Sequence, residues 1–333
     1  MRIYYYCFLF NDIDPPNIFN GRTTRTYFQH RMLPFVKIPQ MEEILLPKLL
    51  DLKFMEHKQF FIKKSPIEHN NSFWSSWREI FKGRGIVTTF PPDQADYFFR
   101  TLKILQVLNN KLPIQVVVKK NEFGNNFIEK LSVRGNTTNQ SIFLVIYSNI
   151  IDKDKERRIG GFKSKFSASL SNTFAEYIFM NADVVTLIDP KEYFDFDEYK
   201  SSGMYITRDR ALNEWISEDC PTSLSNLEPT KKETKLISTS LLYKHDSLNS
   251  SALTGESSSM TFKESRKHVA ESGLMVIDKI NNLQGTLTAL MMSLNPKLGG
   301  CPYGDKEFYW LGQSYSGLKY EFEPFRAAML EFP

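Results

Sequence analysis

Tyr177-Ile178-Phe179-Met180-Asn181-Ala182-Asp183-Val184-Val185 is an apolar run that breaks on one short acidic step and then resumes. A strand buried on both faces of a parallel sheet reads as a near-continuous apolar run. In open α/β sheets, ligands sit beyond the carboxyl ends of such strands. An Asn-x-Asp there offers oxygen ligands of the kind that hold a hard divalent cation against a diphosphate. The plainer alternative is a turn that closes the strand, because Asn and Asp side chains bond to nearby backbone in turns.

The segments around this run support an α/β reading. Ile86 to Phe90 predicts a strand, and Pro91-Pro92-Asp93 predicts a helix start. Phe98, Leu102, Leu105 and Leu108 then fall on one face of a helix, which Asn109-Asn110 ends. Ile114 to Val118 reads as the next strand, completing a βαβ unit with parallel strands. Gly83-x-Gly85 lies before a strand, whereas a dinucleotide-binding fingerprint follows one, so it is not read as that fingerprint. Residues 121–160 are polar and irregular apart from a strand over Ile142 to Tyr147. Lys163 to Glu176 reads as a helix feeding the Asn-x-Asp strand. At Asp189-Pro190-Lys191-Glu192, Asp189 is expected to cap a helix, Pro190 to sit in its first turn and Glu192 to complete a capping box. Met204 to Thr207 predicts a further strand.

Residues 1–82 read as a helical N-terminal region. Ile44, Leu45, Leu49, Leu52 and Met55 recur at roughly helical spacing within Met41 to His57, and Phe73, Trp74 and Trp77 mark another helix. Residues 83–333 form the α/β domain in this reading. Within it, 222–262 is Ser-, Thr- and Lys-rich and is expected to be a mobile surface loop. There is no internal repeat.

A hydrophobic content of 41% with 14% aromatics is enough for a large core in 333 residues. The net charge of +4 is mild, and Lys153-Asp154-Lys155-Glu156-Arg157-Arg158 mixes both signs. That pattern suits a solvated surface and gives no reason to expect nucleic acid. Cys7, Cys220 and Cys301 have no C-x-x-C spacing, so no structural zinc site is expected, while one disulfide with a leftover thiol is compatible with the count. N-x-[ST] sequons begin at Asn70, Asn136, Asn139 and Asn249, compatible with a luminal protein. The apolar stretch Ile3 to Phe10 is far short of the ~20 residues that cross a bilayer, and it lacks a signal-peptide cleavage site. No membrane span is therefore read in this chain. The histidines show no pair at metal spacing, and nothing supports a hydrolase.

Several blocks carry a family resemblance. They are Gly83-Arg84-Gly85-Ile86-Val87-Thr88-Thr89, Phe174-x-Glu176 ahead of the Asn-x-Asp, Glu271-Ser272-Gly273-Leu274-Met275-Val276-Ile277-Asp278-Lys279, and Gly304-Asp305-Lys306-Glu307-Phe308-Tyr309-Trp310-Leu311-Gly312. Arg31-Met32-Leu33-Pro34-Phe35 and Tyr199-Lys200-x-x-Gly203 through Arg208-Asp209-Arg210 add to them. In order and spacing, from about Cys7 to about Tyr320, the chain resembles the fungal α-1,3-mannosyltransferase family of Golgi type II membrane proteins.

The resemblance implies a GT-A-like, Rossmann-type nucleotide-sugar transferase domain in the Golgi lumen. It implies retaining transfer of mannose from GDP-mannose to mannose residues of N- or O-linked fungal glycans, with Mn²⁺ as cofactor. The expected partners are a nucleotide sugar and a mannose-terminated glycan acceptor. Family members are membrane-anchored and their pattern continues past Pro333, so the C-terminus is read as truncated. Asn181 and Asp183 are the expected metal ligands, and Thr88, Lys165 and Gly273 join them in binding the donor. Glu271 and Asp305 are the catalytic candidates, with Asp305 also expected to N-cap a helix. The family pattern has Asp where this chain has Asn181. A neutral ligand attracts a divalent ion less, so metal affinity is expected to fall. The competing readings are a catalytically weakened or inactive paralogue that binds glycans or joins a complex, and an enzyme that uses another nucleotide sugar.

Overall fold

The computed structural model describes residues 4–5, 32–37, 46–58, 60, 79–210, 214–217, 219–225, 227 and 267–327. The chain divides into two compact units, Met1–Tyr193 and Phe194–Pro333.

The first unit is built on a mixed sheet. Its elements are β1 (Lys48–Asp51), β2 (Glu56–Lys58), β3 (Arg84–Thr88), α1 (Ala95–Val107), β4 (Ile114–Val118), α2 (Asn125–Thr137), β5 (Ile142–Ile146), α3 (Lys153–Glu156), α4 (Ser164–Ser171) and β6 (Glu176–Met180). The strands run in the order β2-β1-β5-β4-β3-β6. β5, β4, β3 and β6 are mutually parallel, and β1 joins β5 antiparallel. β4 is buried along its whole length, as a central parallel strand requires. α4 packs on β3 and β4.

The helical reading of Met41 to His57 is overturned where that stretch is described. Lys48–Asp51 and Glu56–Lys58 are strands, and the turn between them leaves Met55 exposed with φ 55°. Pairing with β5 outweighs a helical spacing of apolar residues, since strand preference depends on what the strand packs against. β1, from the segment before residue 83, pairs with β5 from the segment after it. Phe73, Trp74 and Trp77 lie outside the described residues.

α2 was not legible in sequence. Only Leu131 and Gly135 are buried along it and Val133 is exposed, so it shows no apolar stripe. α4 ends at Ser171, short of the expected Glu176, because the Asn172 side chain donates to the carbonyls of Ala168 and Ser169 at 3.0 and 2.8 Å. At Asp189 the cap forms as expected: its Oδ1 accepts from the Lys191 amide at 3.1 Å, opening a 3₁₀ turn over Pro190–Asp195.

The second unit contains α5 (Asp197–Ser202), β7 (Met204–Arg208), α6 (Asp219–Ser225), β8 (Ala270–Asp278), α7 (Lys279–Leu294), α8 (Lys306–Ser316) and β9 (Glu321–Arg326). β7 lies between β8, antiparallel to it, and β9, parallel to it. α7 and α8 pack closely on each other. A Cβ on Gly312 would stand 2.3 Å from the Gly285 carbonyl, so Gly312 is required for backbone contact at the crossing. Cys220 and Cys301 form a disulfide. Cys7 and most of the 222–262 stretch lie outside the described residues.

Candidate functional site

In the first unit the Asn-x-Asp follows β6 directly. The Asn181 carbonyl accepts from the Val184 amide at 3.2 Å, so the segment is a turn at the carboxyl end of a parallel strand. Asp183 is exposed and Asn181 half-buried. The turn is held from behind by Thr101 on α1, whose hydroxyl donates to the Ala182 carbonyl at 2.8 Å. Thr101 was missed in sequence. Its only signal is a hydroxyl on the buried face of an otherwise apolar helix.

The family blocks around β3 and β6 lock these strands in register. Arg84 stands opposite Glu176, and the two side chains make paired hydrogen bonds of 3.0 Å. A Cβ on Gly85 would fall 2.2 Å from the Phe174 ring, so the glycine makes room for that ring over β3. The register pairs Val87 with Phe179. Thr88 therefore ends β3 beside the end of β6, one step before Asn181. Thr88 is 1% exposed, and its hydroxyl has no hydrogen-bond partner. A buried hydroxyl left unbonded carries a desolvation cost. Lys165 is half-buried in the first turn of α4.

In the second unit, β8 departs from regular pairing. Ile206 pairs with Met275, yet Thr207 pairs with Glu271, so Ser272, Gly273 and Leu274 bulge out. The Thr207 hydroxyl pins both ends of the bulge, donating to the carbonyls of Glu271 at 2.8 Å and Leu274 at 3.1 Å. Glu271 is half-buried, and its Oε1 accepts from the Gly273 amide at 2.9 Å. Gly273 is itself buried. Ser272 donates to Asp305 Oδ2 at 3.0 Å. Asp305 stands at the N-cap position of α8 but makes no side-chain capping bond, and it is 2% exposed. The structure thus brings Glu271, Gly273 and Asp305 together around one bulge, a feature over-represented beside functional sites.

The start of β8 is fixed by Glu307. Its carboxylate accepts from the Val269 and Ala270 amides at 2.8 and 3.0 Å and from the Trp310 indole at 2.5 Å. Burial pushes its carboxyl up to about 7, against the opposing pull of those hydrogen bonds. Next to it runs a buried polar chain. Lys306 is ion-paired with Asp209 and lies 2.6 Å from His268 Nδ1, while His268 Nε2 meets Glu214 at 3.0 Å. His268 and Asp209 were not among the expected site residues, because neither shows any sequence spacing that links it to Lys306.

Among the described residues no group of three or more His, Cys, Asp and Glu side chains is arranged to hold a metal ion. None of the described helices is long and apolar enough to cross a membrane.

Residues 83–331 match the family model Mannosyl_trans3, described as mannosyltransferase. The chain belongs to this mannosyltransferase family. It is similar to alpha-1,3-mannosyltransferase MNT3 of Saccharomyces cerevisiae, at 35% identity over 97% of this chain and 53% of that protein. It is also similar to alpha-1,3-mannosyltransferase MNN1 of the same yeast, at 30% identity over 90% of this chain and 42% of that protein. The chain therefore spans about half the length of these relatives. Among solved structures, a WbbM bifunctional glycosyltransferase overlaps 72% of this chain and 39% of its own, with a TM-score of 0.37 and 8% identity. The mannosyltransferase family's matched region includes Thr88, Asn181, Asp183, Glu271 and Asp305.

Proposed function

We propose that this chain is the transferase part of a retaining α-1,3-mannosyltransferase. In this reading it moves mannose from GDP-mannose to a mannose 3-hydroxyl on an N- or O-linked fungal glycan. The observation that carries the proposal is the Asn181–Asp183 turn at the carboxyl end of β6, beside the buried hydroxyl of Thr88 at the end of β3. Sheet ligands bind at such edges, the mannosyltransferase family match supports mannose as the sugar, and the similarity to alpha-1,3-mannosyltransferase MNT3 supports the linkage.

The proposed cofactor is Mn²⁺. Asp183 brings a carboxylate and Asn181 an amide oxygen, both reachable from solvent. A hard cation held by so few protein oxygens completes its shell from substrate phosphates and water. When bound, such an ion neutralises charge on the departing diphosphate. Lys165 is the proposed phosphate contact from α4. Of the two carboxylates at the β8 bulge, Glu271 is the more reachable for the sugar. Asp305 would act through Ser272 by holding the bulge. The proposed location is the Golgi lumen, supported by the Cys220–Cys301 disulfide, since disulfides persist in oxidising compartments.

The test is turnover of GDP-mannose with a mannobiose acceptor in Mn²⁺, alongside calorimetry of Mn²⁺ and GDP. Asp183→Ala is expected to lose more than about tenfold in turnover, given the several kcal/mol such an ion supplies to transition-state charge. Asn181→Asp is expected to tighten Mn²⁺ and raise turnover. Tighter Mn²⁺ without turnover in any variant would point to a glycan-binding paralogue. Unchanged turnover in Asp183→Ala would remove Asp183 from the reaction.

A further inference from the structure

The Asn-x-Ser/Thr sequons at Asn70, Asn136, Asn139 and Asn249 have no part in the proposed transfer chemistry. Asn70 and Asn249 lie outside the described residues. Asn136 and Asn139 are close neighbours, one in the last turn of α2 and one in the turn that leads from α2 into β5. A sequon pairs an amide with a hydroxyl two residues on and belongs on a surface loop. The two sites differ in how they meet that requirement.

Asn136 is exposed, but it lies within the helix. Its companion hydroxyl, on Thr138, is 4% exposed and donates back to the Arg134 carbonyl at 2.8 Å. Asn139 has left the helix. Its φ is 54°, in the left-handed region that Asn enters more readily than most residues. The residue after it is an anchor. Gln140 is buried, its Oε1 accepts from the Asn110 side chain at 2.7 Å, and its amide donates to the Gly135 carbonyl at 2.8 Å. Successive side chains of an extended chain point to opposite sides. With Gln140 turned inward, Asn139 and Ser141 face outward together, and both are exposed. Ser141 joins the sheet through its carbonyl, which accepts from the Ile114 amide at 2.8 Å, so the turn does not use its hydroxyl.

The turn stands at the amino end of β5, whereas Asn181 and Asp183 follow the carboxyl end of the parallel strand β6. Each strand has five residues, which puts about 16 Å between the two edges of the sheet. A bulky, solubilising group at Asn139 therefore leaves the proposed donor edge open.

We propose that Asn139 is a site of N-linked glycosylation, modified from a lipid-linked diphospho-oligosaccharide. Asn139 Nδ2 forms a bond to C1 of the sugar, the C1–O bond to the diphosphate breaks, the amide gives up one proton, and the lipid diphosphate departs. The inference rests on the luminal location proposed above, where that donor is found.

The experiment uses the whole chain in yeast, made once from its own gene and once behind a secretory leader that enforces entry into the lumen. Enzymatic release of N-glycans in heavy-oxygen water converts a modified Asn to labelled Asp, and mass spectrometry of the tryptic peptide beginning at Gly135 locates the label. The leader-directed chain is expected to carry it at Asn139. Asn139→Gln and Ser141→Ala should each abolish it, Ser141→Thr should keep it, and Thr138→Ala, which removes only the Asn136 sequon, should leave it unchanged. Label at Asn139 in the leader-directed chain but not in the protein from its own gene supports the site and removes the luminal location. No label in the leader-directed chain, or label at Asn136 in place of Asn139, overturns the proposal.

Discussion

At the residue scale, Glu307 ties a strand and a helix of the second unit together. One buried carboxylate ties the first residues of β8 to α8 through two backbone amides and the Trp310 indole. Burial raises its pKa from the ordinary 4.5 to about 7. The folded chain therefore holds this proton more tightly than the unfolded chain. The resulting stability is fully present at and below pH 4.5 and is lost as pH rises through 7. Such a shift corresponds to about 3 kcal/mol across the window. Glu307→Gln cannot titrate, so its melting temperature should be flatter than the parent's between pH 4.5 and 7.5. Its baseline should also be lower, by about 1–3 kcal/mol, because an amide NH₂ would face the Trp310 donor. Thermal melts across that pH range decide the matter, and parallel curves for the two proteins would show that Glu307 does not titrate there. Asn181 is the contrasting case. Its carbonyl accepts from the Val184 amide at 3.2 Å, so its part in the turn is made by backbone.

At the element scale, the α7–α8 crossing depends on two missing side chains. A Cβ on Gly312 would meet backbone of α7, at 2.3 Å from the Gly285 carbonyl and 2.8 Å from the Ala289 nitrogen. Neither atom can move without shifting the helix. A Cβ on Gly285 would instead meet the Gln313 side chain at 2.0 Å, which can change rotamer at some cost. Gly312→Ala should therefore destabilise more than Gly285→Ala, by about 1–3 kcal/mol or above for the former, as overpacked cores do. Urea titration of both variants gives the comparison, and an equal or reversed order would mean that the helices separate easily. α8 also carries Asp305, Lys306 and Glu307, so a shifted crossing should disturb the β8 bulge as well.

At the scale of the whole molecule, Cys220–Cys301 closes a sequence separation of 81 residues within the second unit. The whole Ser- and Thr-rich stretch, 222–262, falls inside that loop. The disulfide joins α6 to the segment between α7 and α8, where Ile216 packs with both cysteines. On the chain-entropy view, a loop of this length gives up to about 4.5 kcal/mol by constraining the unfolded chain. Replacing both cysteines with Ser should lower the denaturation midpoint substantially, and a reductant should then have no further effect. If reductant leaves the parent's midpoint unchanged, the bridge contributes nothing to stability.

The sequence determined the parallel strands, because a strand buried on both faces must be apolar throughout. Ile114 to Val118 and Tyr177 to Met180 could be read directly for that reason. It also determined the Asn-x-Asp turn, whose residues bond locally, and the family, whose blocks are contiguous. β1 was decided only by tertiary structure, because its partner β5 lies about ninety residues away and a strand has no meaning without its neighbour, and β2 in turn pairs, among the described strands, only with β1. α2 was hidden because a helix burying two residues leaves no stripe. The β8 bulge and the buried Asp209–Lys306–His268 chain were likewise invisible. Each joins residues far apart in sequence, and their chemistry arises from strand register and helix packing, which no local spacing encodes.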